Sequence, residues 1–186
     1  MIADKVKAQT STYHRELEAI LVRKIKSIRS VQDYIQILND FYSFFAGLEL
    51  LISKHLQPTL ADAGERRKTA AIADDLSYFK AKVPDLATGA ELPVILNHFQ
   101  ALGALYVIEG STLGGKYISQ MISQQLNIPV DEGLSFFNGY GESTMEMWAR
   151  FKDYLNKEAI ADEQQADVIE AANQTFLKFK DWVNLS

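Results

Sequence analysis

Apolar side chains recur every three or four residues along most of the chain, with charged and polar side chains between them. This spacing is typical of amphipathic α-helices, because it places the apolar groups on one side of the helix. The pattern predicts helices over residues 3–22, 31–56, 66–82, 93–126, 143–158 and from Asp162 to about Val183. No stretch of useful length shows the alternation of a β-strand. We therefore expect an all-α fold of six or seven helices in a single domain, residues 1–186.

Prolines and polar residues mark the ends of several predicted helices. Pro58 and Pro84 follow the second and third helices, while Pro93 suits the first turn of the fourth. Asp162 and Gln165 resemble a capping box for the last helix. The segment between the fourth and fifth helices is expected to form a loop anchored by three aromatic residues, Phe136, Phe137 and Tyr140.

Three glycines lie inside the fourth predicted helix, at Gly110, Gly114 and Gly115. Each costs roughly 1 kcal/mol relative to alanine in a helix interior. Gly110 and Gly114 are four residues apart, as are Ser111 and Gly115, so they form adjoining rows on one side; Gly103 extends the first row. A helix side without Cβ atoms allows either another helix or a flat ligand to approach the backbone closely. The glycines alone leave both interpretations open.

The composition is that of a soluble globular protein, with 47% hydrophobic and 23% charged residues. The net charge of -5 argues against a nucleic-acid partner, since phosphates require a basic surface. The absence of cysteine excludes disulfides, thiolate metal sites, iron–sulfur clusters and covalent haem attachment. The amino-terminal residues lack the apolar core of a secretory signal, and no run reaches the roughly 18 apolar residues of a membrane span. We therefore expect a cytoplasmic protein without membrane insertion.

Without cysteine, transition-metal chemistry depends on the three histidines and the carboxylates. The Glu-x-x-His spacing of di-iron helical bundles is absent, since no glutamate stands three residues before His14, His55 or His98. His98 lies twelve residues before Gly110, which is about 18 Å along a helix axis. It is therefore too far away to serve a ligand centred on the glycines. His55 falls in the last turn of the second helix and is expected at the surface.

His14 has neighbours that suit a metal ligand. Glu18 follows one helical turn later and is placed to orient the imidazole or to accept its second N–H. Lys7 precedes His14 by two turns on the same side, about 10 Å along the axis, which is comparable with the reach from a haem iron to its propionates. The alternative is an ordinary surface His–Glu pair. The spacing alone leaves both alternatives open.

Four segments of the chain resemble the haem oxygenase family, in particular its bacterial members. The glycine-bearing segment resembles the distal helix of that family, and the segment around His14 resembles its proximal helix. The segments are Leu105–Lys116, Lys7–Glu18 (with Thr10 and His14), Phe136–Gly141 and Asn173–Phe176. They are spread over nearly the whole chain, and the first two in combination are the more specific signal.

The resemblance implies that haem is held between the first helix and a kinked, glycine-rich distal helix. His14 would be the axial ligand of the haem iron, supported by Glu18, with Lys7 and Thr10 contributing to haem binding. On the opposite face, bare backbone would lie against the porphyrin and leave room for O₂. The implied haem-contacting residues of that face are Gly110, Ser111, Gly114 and Gly115, with the catalytic role assigned to Gly110, Ser111 and Gly114.

Two further site residues are implied less directly. A basic residue of the fifth predicted helix is expected to bind a propionate, and Arg150 is assigned to this role with Lys152 as the alternative. In the mammalian pattern an aspartate follows the first glycine and organises distal water for proton transfer, whereas this chain has Ser111, and bacterial relatives also lack the acid. We expect proton transfer to use ordered water that is held by Ser111, by backbone groups or by another side chain.

The implied activity is oxidative cleavage of haem to biliverdin, carbon monoxide and ferrous iron. Haem would be both substrate and O₂-activating cofactor. Electrons would come from a separate reductase or ferredoxin, since no flavin or nicotinamide fingerprint is present. A bilin acceptor such as a phytochrome would be a further partner. The alternative is a non-catalytic haem or bilin carrier of the same fold; an all-α enzyme for thiamine-like compounds is disfavoured because its familiar form needs a cysteine nucleophile.

Overall fold

The computed structural model describes residues 1–185 as an array of eight α-helices. They are α1 (Ile2–Lys26), α2 (Val31–Ser53), α3 (Ala70–Tyr78), α4 (His98–Gly110), α5 (Gly115–Leu126), α6 (Ser135–Asn138), α7 (Thr144–Glu158) and α8 (Asp162–Leu185). No β-strand occurs within residues 1–185. The all-α prediction is therefore confirmed.

The predicted helix over residues 93–126 consists of two helices. α4 begins at His98. The preceding residue, Asn97, caps the helix, because its side-chain oxygen accepts the backbone N–H of Gln100 at 2.9 Å. The assignment of Pro93 to the first turn is therefore wrong. A 3-10 segment, Ser111–Gly114, separates α4 from α5. The break falls in the glycine-bearing stretch, where missing side chains weaken the regular helix.

The start of α8 also differs from the prediction. Asp162 is already the first helical residue, so the capping box assigned to Asp162 and Gln165 is wrong. The side-chain oxygen of Gln164 instead accepts hydrogen bonds from the backbone N–H groups of Ile160 and Ala161, at 3.0 and 2.9 Å. One glutamine thus stabilises the turn that leads into the helix.

α8 is the central helix of the fold, because α1 and α4 both pack along it. Gly103 allows the close approach of α4: a Cβ at this position would lie 2.2 Å from the Val168 carbonyl oxygen and 2.9 Å from the Ala171 Cβ. The rings of Phe44 and Phe179 stack in the interior with centroids 4.8 Å apart. Further aromatic core residues are Phe41, Phe45, Phe136 and Phe137.

The Gly103→Ala variant is expected to be less stable than the wild type by about 2–3 kcal/mol, because the added methyl group forces α4 away from α8. Urea unfolding followed by circular dichroism measures this difference. Gly64→Ala is the matched control, since nothing lies within 4 Å of a Cβ at Gly64. Equal stability of the two variants would contradict the close helix contact.

α2 is long and apolar enough to cross a membrane, judged by length and composition alone. Of its most apolar window, 61% is buried inside the protein. It packs against α4, α3 and α8. Helices of a protein core have the same properties, and we interpret α2 as a core helix of this fold.

Candidate functional site

One interaction near each end of α1 relates this helix to the α4–α5 segment. Near one end, Asp4 of α1 is close to Tyr106 of α4: burial, together with the Asp4 carboxylate, raises the pKa of Tyr106 to about 12. At the other end, the Gln125 side chain donates to the Lys26 carbonyl oxygen at 3.2 Å. His14 is ten residues from the first of these α1 positions and twelve from the second, or about 15 and 18 Å along the axis. His14 is thus about midway between the two interactions along α1, and Gly114 and Gly115 are about midway between Tyr106 and Gln125 along the chain.

The His14 side chain is exposed. Its ring meets the Phe176 ring of α8 edge-on, with centroids 5.5 Å apart. Within residues 1–185 no group hydrogen-bonds to the imidazole, and Glu18, one turn later, is itself exposed. Both imidazole nitrogens are therefore available to a ligand.

Lys7 and Thr10 differ in what they can offer to a ligand. Lys7 is exposed and forms no ion pair within the described residues 1–185. Thr10 is buried, and its hydroxyl donates to the Val6 carbonyl oxygen at 2.8 Å. The Lys7 ammonium can meet an anion, whereas the Thr10 hydroxyl proton is already bonded inside α1.

The glycines between Gly110 and Gly115 lack a side chain for two different reasons. A Cβ at Gly115 would lie 1.9 Å from the Phe137 carbonyl oxygen. Close packing therefore requires a glycine at this position, as it does at Gly103 between α4 and α8. A Cβ at Gly110 would meet only the Trp148 ring, at 3.8 Å, and one at Gly114 would meet nothing closer than 4.0 Å. Packing therefore does not explain Gly110 or Gly114, which leave backbone uncovered.

Apolar side chains surround this uncovered backbone. Leu113 and Tyr117 are 44% and 70% exposed. Trp148 of α7 stacks on Phe151 with centroids 5.9 Å apart, and the Lys152 ammonium lies 5.8 Å from the Trp148 ring centroid. Exposed apolar groups gathered in one place are typical of a binding surface. Together with the exposed imidazole of His14, they suit a flat, apolar ligand that contains a metal.

Behind the glycines, Ser111 is held by an arginine. The Arg67 Nη2 donates to the Ser111 Oγ at 2.6 Å and to the Ile108 carbonyl oxygen at 3.0 Å. The Ser111 hydroxyl in turn donates to the Ile108 carbonyl oxygen at 2.7 Å. The Arg67 guanidinium also lies 4.1 Å from the centroid of the Phe136 ring. Burial lowers the pKa of Arg67 to about 10, an effect opposed by the nearby Glu109 carboxylate.

A buried ionic cluster lies next to Arg67. The Glu109 carboxylate accepts from Arg66 at 2.7 Å and from the Tyr140 hydroxyl at 2.9 Å. Arg66 also pairs with Asp62 at 2.8 Å. Burial raises the pKa of Glu109, while Arg66 and Tyr140 oppose that rise; burial and Glu109 raise the pKa of Tyr140 to about 12. The cluster ties the loop before α3 to the end of α4.

The sequence model of the family described as "Heme oxygenase" matches residues 1–185. The chain belongs to the haem oxygenase family. It is therefore an enzyme that degrades haem. A curated relative from Xanthomonas campestris pv. campestris (strain 8004), named "Heme oxygenase", is 31% identical over 151 residues, which cover 78% of this chain and 86% of that protein.

Solved structures of bacterial haem oxygenases share the fold. The enzyme from Neisseria meningitidis, solved in its NO- and CO-bound forms, matches with a TM-score of 0.79 and 23% identity, over 100% of this chain and 91% of that chain. The enzyme from Leptospira interrogans matches with a TM-score of 0.80 and 17% identity, over 100% and 99% of the two chains. Haem oxygenase-2 from Synechocystis sp. PCC 6803, in complex with haem and NO, matches with a TM-score of 0.76 and 17% identity, over 98% and 84%. The predicted haem oxygenase fold is thus confirmed.

In this haem oxygenase the two candidate propionate partners on α7 have different surroundings. The Arg150 guanidinium pairs with Glu146 at 2.5 Å and with Glu65 at 3.8 Å. Lys152 lies instead over the Trp148 ring and has no carboxylate partner within residues 1–185. The assignment to Arg150 stays a prediction, and the geometry favours Lys152 as the freer cation.

The other two histidines of this haem oxygenase have different environments. His98 is buried, its Nδ1 accepts the Gln57 backbone N–H at 3.1 Å, and its Nε2 lies 3.5 Å from Glu158. His55 is partly buried in the turn after α2, so it is less exposed than predicted. Within residues 1–185 no group of three or more His, Asp or Glu is placed to hold a metal ion. His14 is thus the exposed histidine of the described chain.

Sequence reasoning missed Arg66, Arg67 and Glu109. The pattern predicts a helix that begins at Arg66, but α3 begins at Ala70. The two arginines lie in a loop that folds against the end of α4. Adjacent arginines before a helix resemble a solvated surface, and no local signal shows that a loop will be buried.

Proposed function

We propose that this haem oxygenase cleaves haem oxidatively to biliverdin, carbon monoxide and ferrous iron, with O₂ and with electrons from another protein. Two observations carry the proposal: the His14 imidazole on α1 is exposed, and the backbone at Gly110 and Gly114 is uncovered. A porphyrin between them would have a nitrogen ligand on one face and free space for O₂ on the other.

On the α1 side, the imidazole of His14 would bind the haem iron. Glu18 lies one turn later and would accept the second imidazole N–H once the ring is fixed. Lys7 lies about two turns earlier and would meet a propionate with its free ammonium, because a point charge suits an exposed carboxylate. Thr10 is 2% exposed and its hydroxyl is bonded to Val6, so it would support α1 beneath the haem and offer little surface of its own.

On the α4–α5 side, the absence of side chains at Gly110 and Gly114 would let peptide groups lie against the porphyrin. Gly115 would take part only through its backbone, because packing against Phe137 already requires its missing side chain. Leu113 and Tyr117 would cover the porphyrin edge and lose exposed apolar area on binding. Haem bound there supplies the iron that activates O₂, and the protein restricts which edge of the ring that O₂ can reach.

The remaining assignments complete the proposal. Electrons would come from a ferredoxin or a reductase, and a phytochrome-type protein would be an acceptor for the bilin. We propose that residues 1–186 act as one domain in the cytoplasm. The solved relative from Synechocystis contains haem, which supports haem as the ligand of this chain.

Reconstitution with haem tests the proposed products. We expect about one haem to bind per chain and, under air with ascorbate and catalase, the Soret band to disappear while a biliverdin band forms. Carbon monoxide trapped by myoglobin and ferrous iron trapped by a chelator should appear in amounts equal to the haem consumed. A haem carrier would keep its Soret band under these conditions, and a bilin released without carbon monoxide would contradict the proposed reaction.

A further inference from the structure

Arg67 is a mostly buried cation that makes no direct contact with a carboxylate among residues 1–185. Its guanidinium donates to the carbonyl oxygens of Ile108 and Phe136, at 3.0 and 3.3 Å, and to Ser111 at 2.6 Å. The neighbouring Arg66, by contrast, forms ion pairs with Asp62 and Glu109. A buried charge without a contacting counter-ion is costly. An arginine that served only to stabilise the fold would contribute more through ion pairs such as those of Arg66 with Asp62 and Glu109.

The hydrogen bonds of Ser111 show what this arrangement achieves. The Ser111 hydroxyl proton is donated to the Ile108 carbonyl oxygen, and one Oγ lone pair accepts from Arg67. A hydroxyl has one proton and two lone pairs, so one lone pair remains. While both of these hydrogen bonds are made, Ser111 can only accept a hydrogen bond from a further group. An ionised aspartate at this position would also only accept hydrogen bonds. Arg67 thus makes the serine a hydrogen-bond acceptor, as the aspartate would be.

The position of Arg67 is itself fixed by neighbouring groups. The backbone N–H of Arg67 donates to the Tyr140 hydroxyl at 2.9 Å, and that hydroxyl donates to Glu109. The guanidinium rests on the Phe136 ring. The nearby Glu109 carboxylate offsets part of the charge without contacting the guanidinium. The cation is thus held rigidly behind the distal backbone.

A cavity of about 620 Å³ reaches the same group from the α2 side. Its lining includes Arg67, Ile108, Glu49 and Thr69. The cavity is open to solvent and has polar groups in its wall, so water can enter it. Water can therefore approach Arg67 from behind α4.

We propose that Arg67 is a positioning residue: it holds Ser111 as a fixed hydrogen-bond acceptor for distal water and provides a permanent positive charge on the O₂ side of the haem. This inference rests on the proposed function, because it concerns the face of the haem opposite His14. A fixed cation favours the negative charge that develops on that side as electrons arrive. A fixed acceptor keeps water in one orientation for proton transfer.

Three variants separate the two parts of this role. Arg67→Met removes the charge and the donors at similar volume, Arg67→Lys keeps the charge without the planar fork, and Ser111→Ala removes the acceptor. Ser119→Ala is the matched serine control, since its hydroxyl also donates to a carbonyl three residues earlier, that of Lys116 at 3.0 Å. Arg29→Met is the arginine control, since Arg29 also donates to two carbonyl oxygens, at 2.8 and 2.7 Å.

The readouts are the pH at which water on the ferric haem ionises, haem turnover, and hydrogen peroxide released per haem consumed. Arg67→Met should raise the ionisation pH by about half a unit or more, because a nearby cation favours the anionic form. It should also lower turnover by about tenfold or more and increase peroxide release. Arg67→Lys should keep the ionisation pH near that of the wild type while recovering only part of the turnover.

Ser111→Ala should lower turnover with a smaller change in ionisation pH, and the two control variants should behave as the wild type. Because the two residues act as a unit, the double variant of Arg67→Met and Ser111→Ala should be no slower than Arg67→Met alone. A folded Arg67→Met protein with wild-type ionisation pH and turnover would overturn the proposal, as would additive effects in the double variant.

If Arg67→Met fails to fold, Arg67→Lys and Ser111→Ala decide the question. Ser111→Ala indistinguishable from Ser119→Ala would overturn the role of Arg67. Failure of the proposed function is a different result: the wild type would then leave haem intact, while the shift in ionisation pH would still be measurable in the haem-bound proteins.

Discussion

The His14→Ala variant is expected to bind haem without its native axial nitrogen and to lose turnover by more than about 100-fold, since even groups that only support a metal ligand contribute about 10- to 100-fold. The physical reason is that His14 is the exposed histidine of residues 1–185 and no carboxylate cluster there replaces it. Absorption spectra of the ferric haem complex and single-turnover assays with ascorbate measure the effect. Added imidazole should restore part of both, because a free ligand can occupy the space left by the side chain.

His55→Ala is the control for this experiment, since His55 lies in the turn after α2. It should keep the wild-type spectrum and turnover. If His14→Ala also kept both, the axial assignment would be wrong and the ligand would have to come from elsewhere. An unfolded His14→Ala protein is not expected, because the side chain is exposed and makes no hydrogen bond within residues 1–185.

Substitutions at two adjacent glycines are expected to have opposite consequences. Gly114→Leu should leave helicity and thermal stability of the haem-free protein nearly unchanged, because a side chain there enters open space. It should lower haem affinity by about tenfold or more, since an added leucine would occupy the space proposed for the porphyrin. Haem titration monitored at the Soret band measures the affinity.

Gly115→Ala should instead destabilise the haem-free protein by about 3 kcal/mol, because its methyl group would overlap the Phe137 carbonyl oxygen. Urea unfolding without haem distinguishes this loss from a binding defect. Wild-type haem affinity in Gly114→Leu would show that the bare backbone is not a haem surface. Normal stability in Gly115→Ala would show that α5 and α6 are not in close contact.

Helix periodicity and the spacing of a few residues were sufficient for much of the fold and of the candidate site. The amphipathic pattern marks α1, α2, α7 and α8 within a few residues of their observed ends. The spacing of His14 with Lys7 and Glu18 places these residues on one helix side, as the observed α1 does. These features depend on contacts within one helical turn, which sequence patterns encode directly.

The glycines show where local pattern stops being informative. Gly110, Gly114 and Gly115 look equivalent in sequence, yet only Gly115 is required by a neighbouring backbone. The difference depends on which element packs on each side of the helix, which is a long-range property. The packing interpretation is therefore confirmed for Gly115 and Gly103, while the ligand interpretation stays a prediction for Gly110 and Gly114.

The sequence by itself determined the helical class and the family, because both follow from short-range spacing or from recognisable motifs. Only the tertiary structure decided that the distal stretch is two helices joined by a 3-10 turn, and that Arg67 reaches Ser111 across 44 residues of chain. A loop arginine carries no periodic signal, and its burial depends on Phe136, Tyr140 and Glu109 meeting it from separate elements. Such a convergence is set by the packing of the whole chain and is invisible in any single segment.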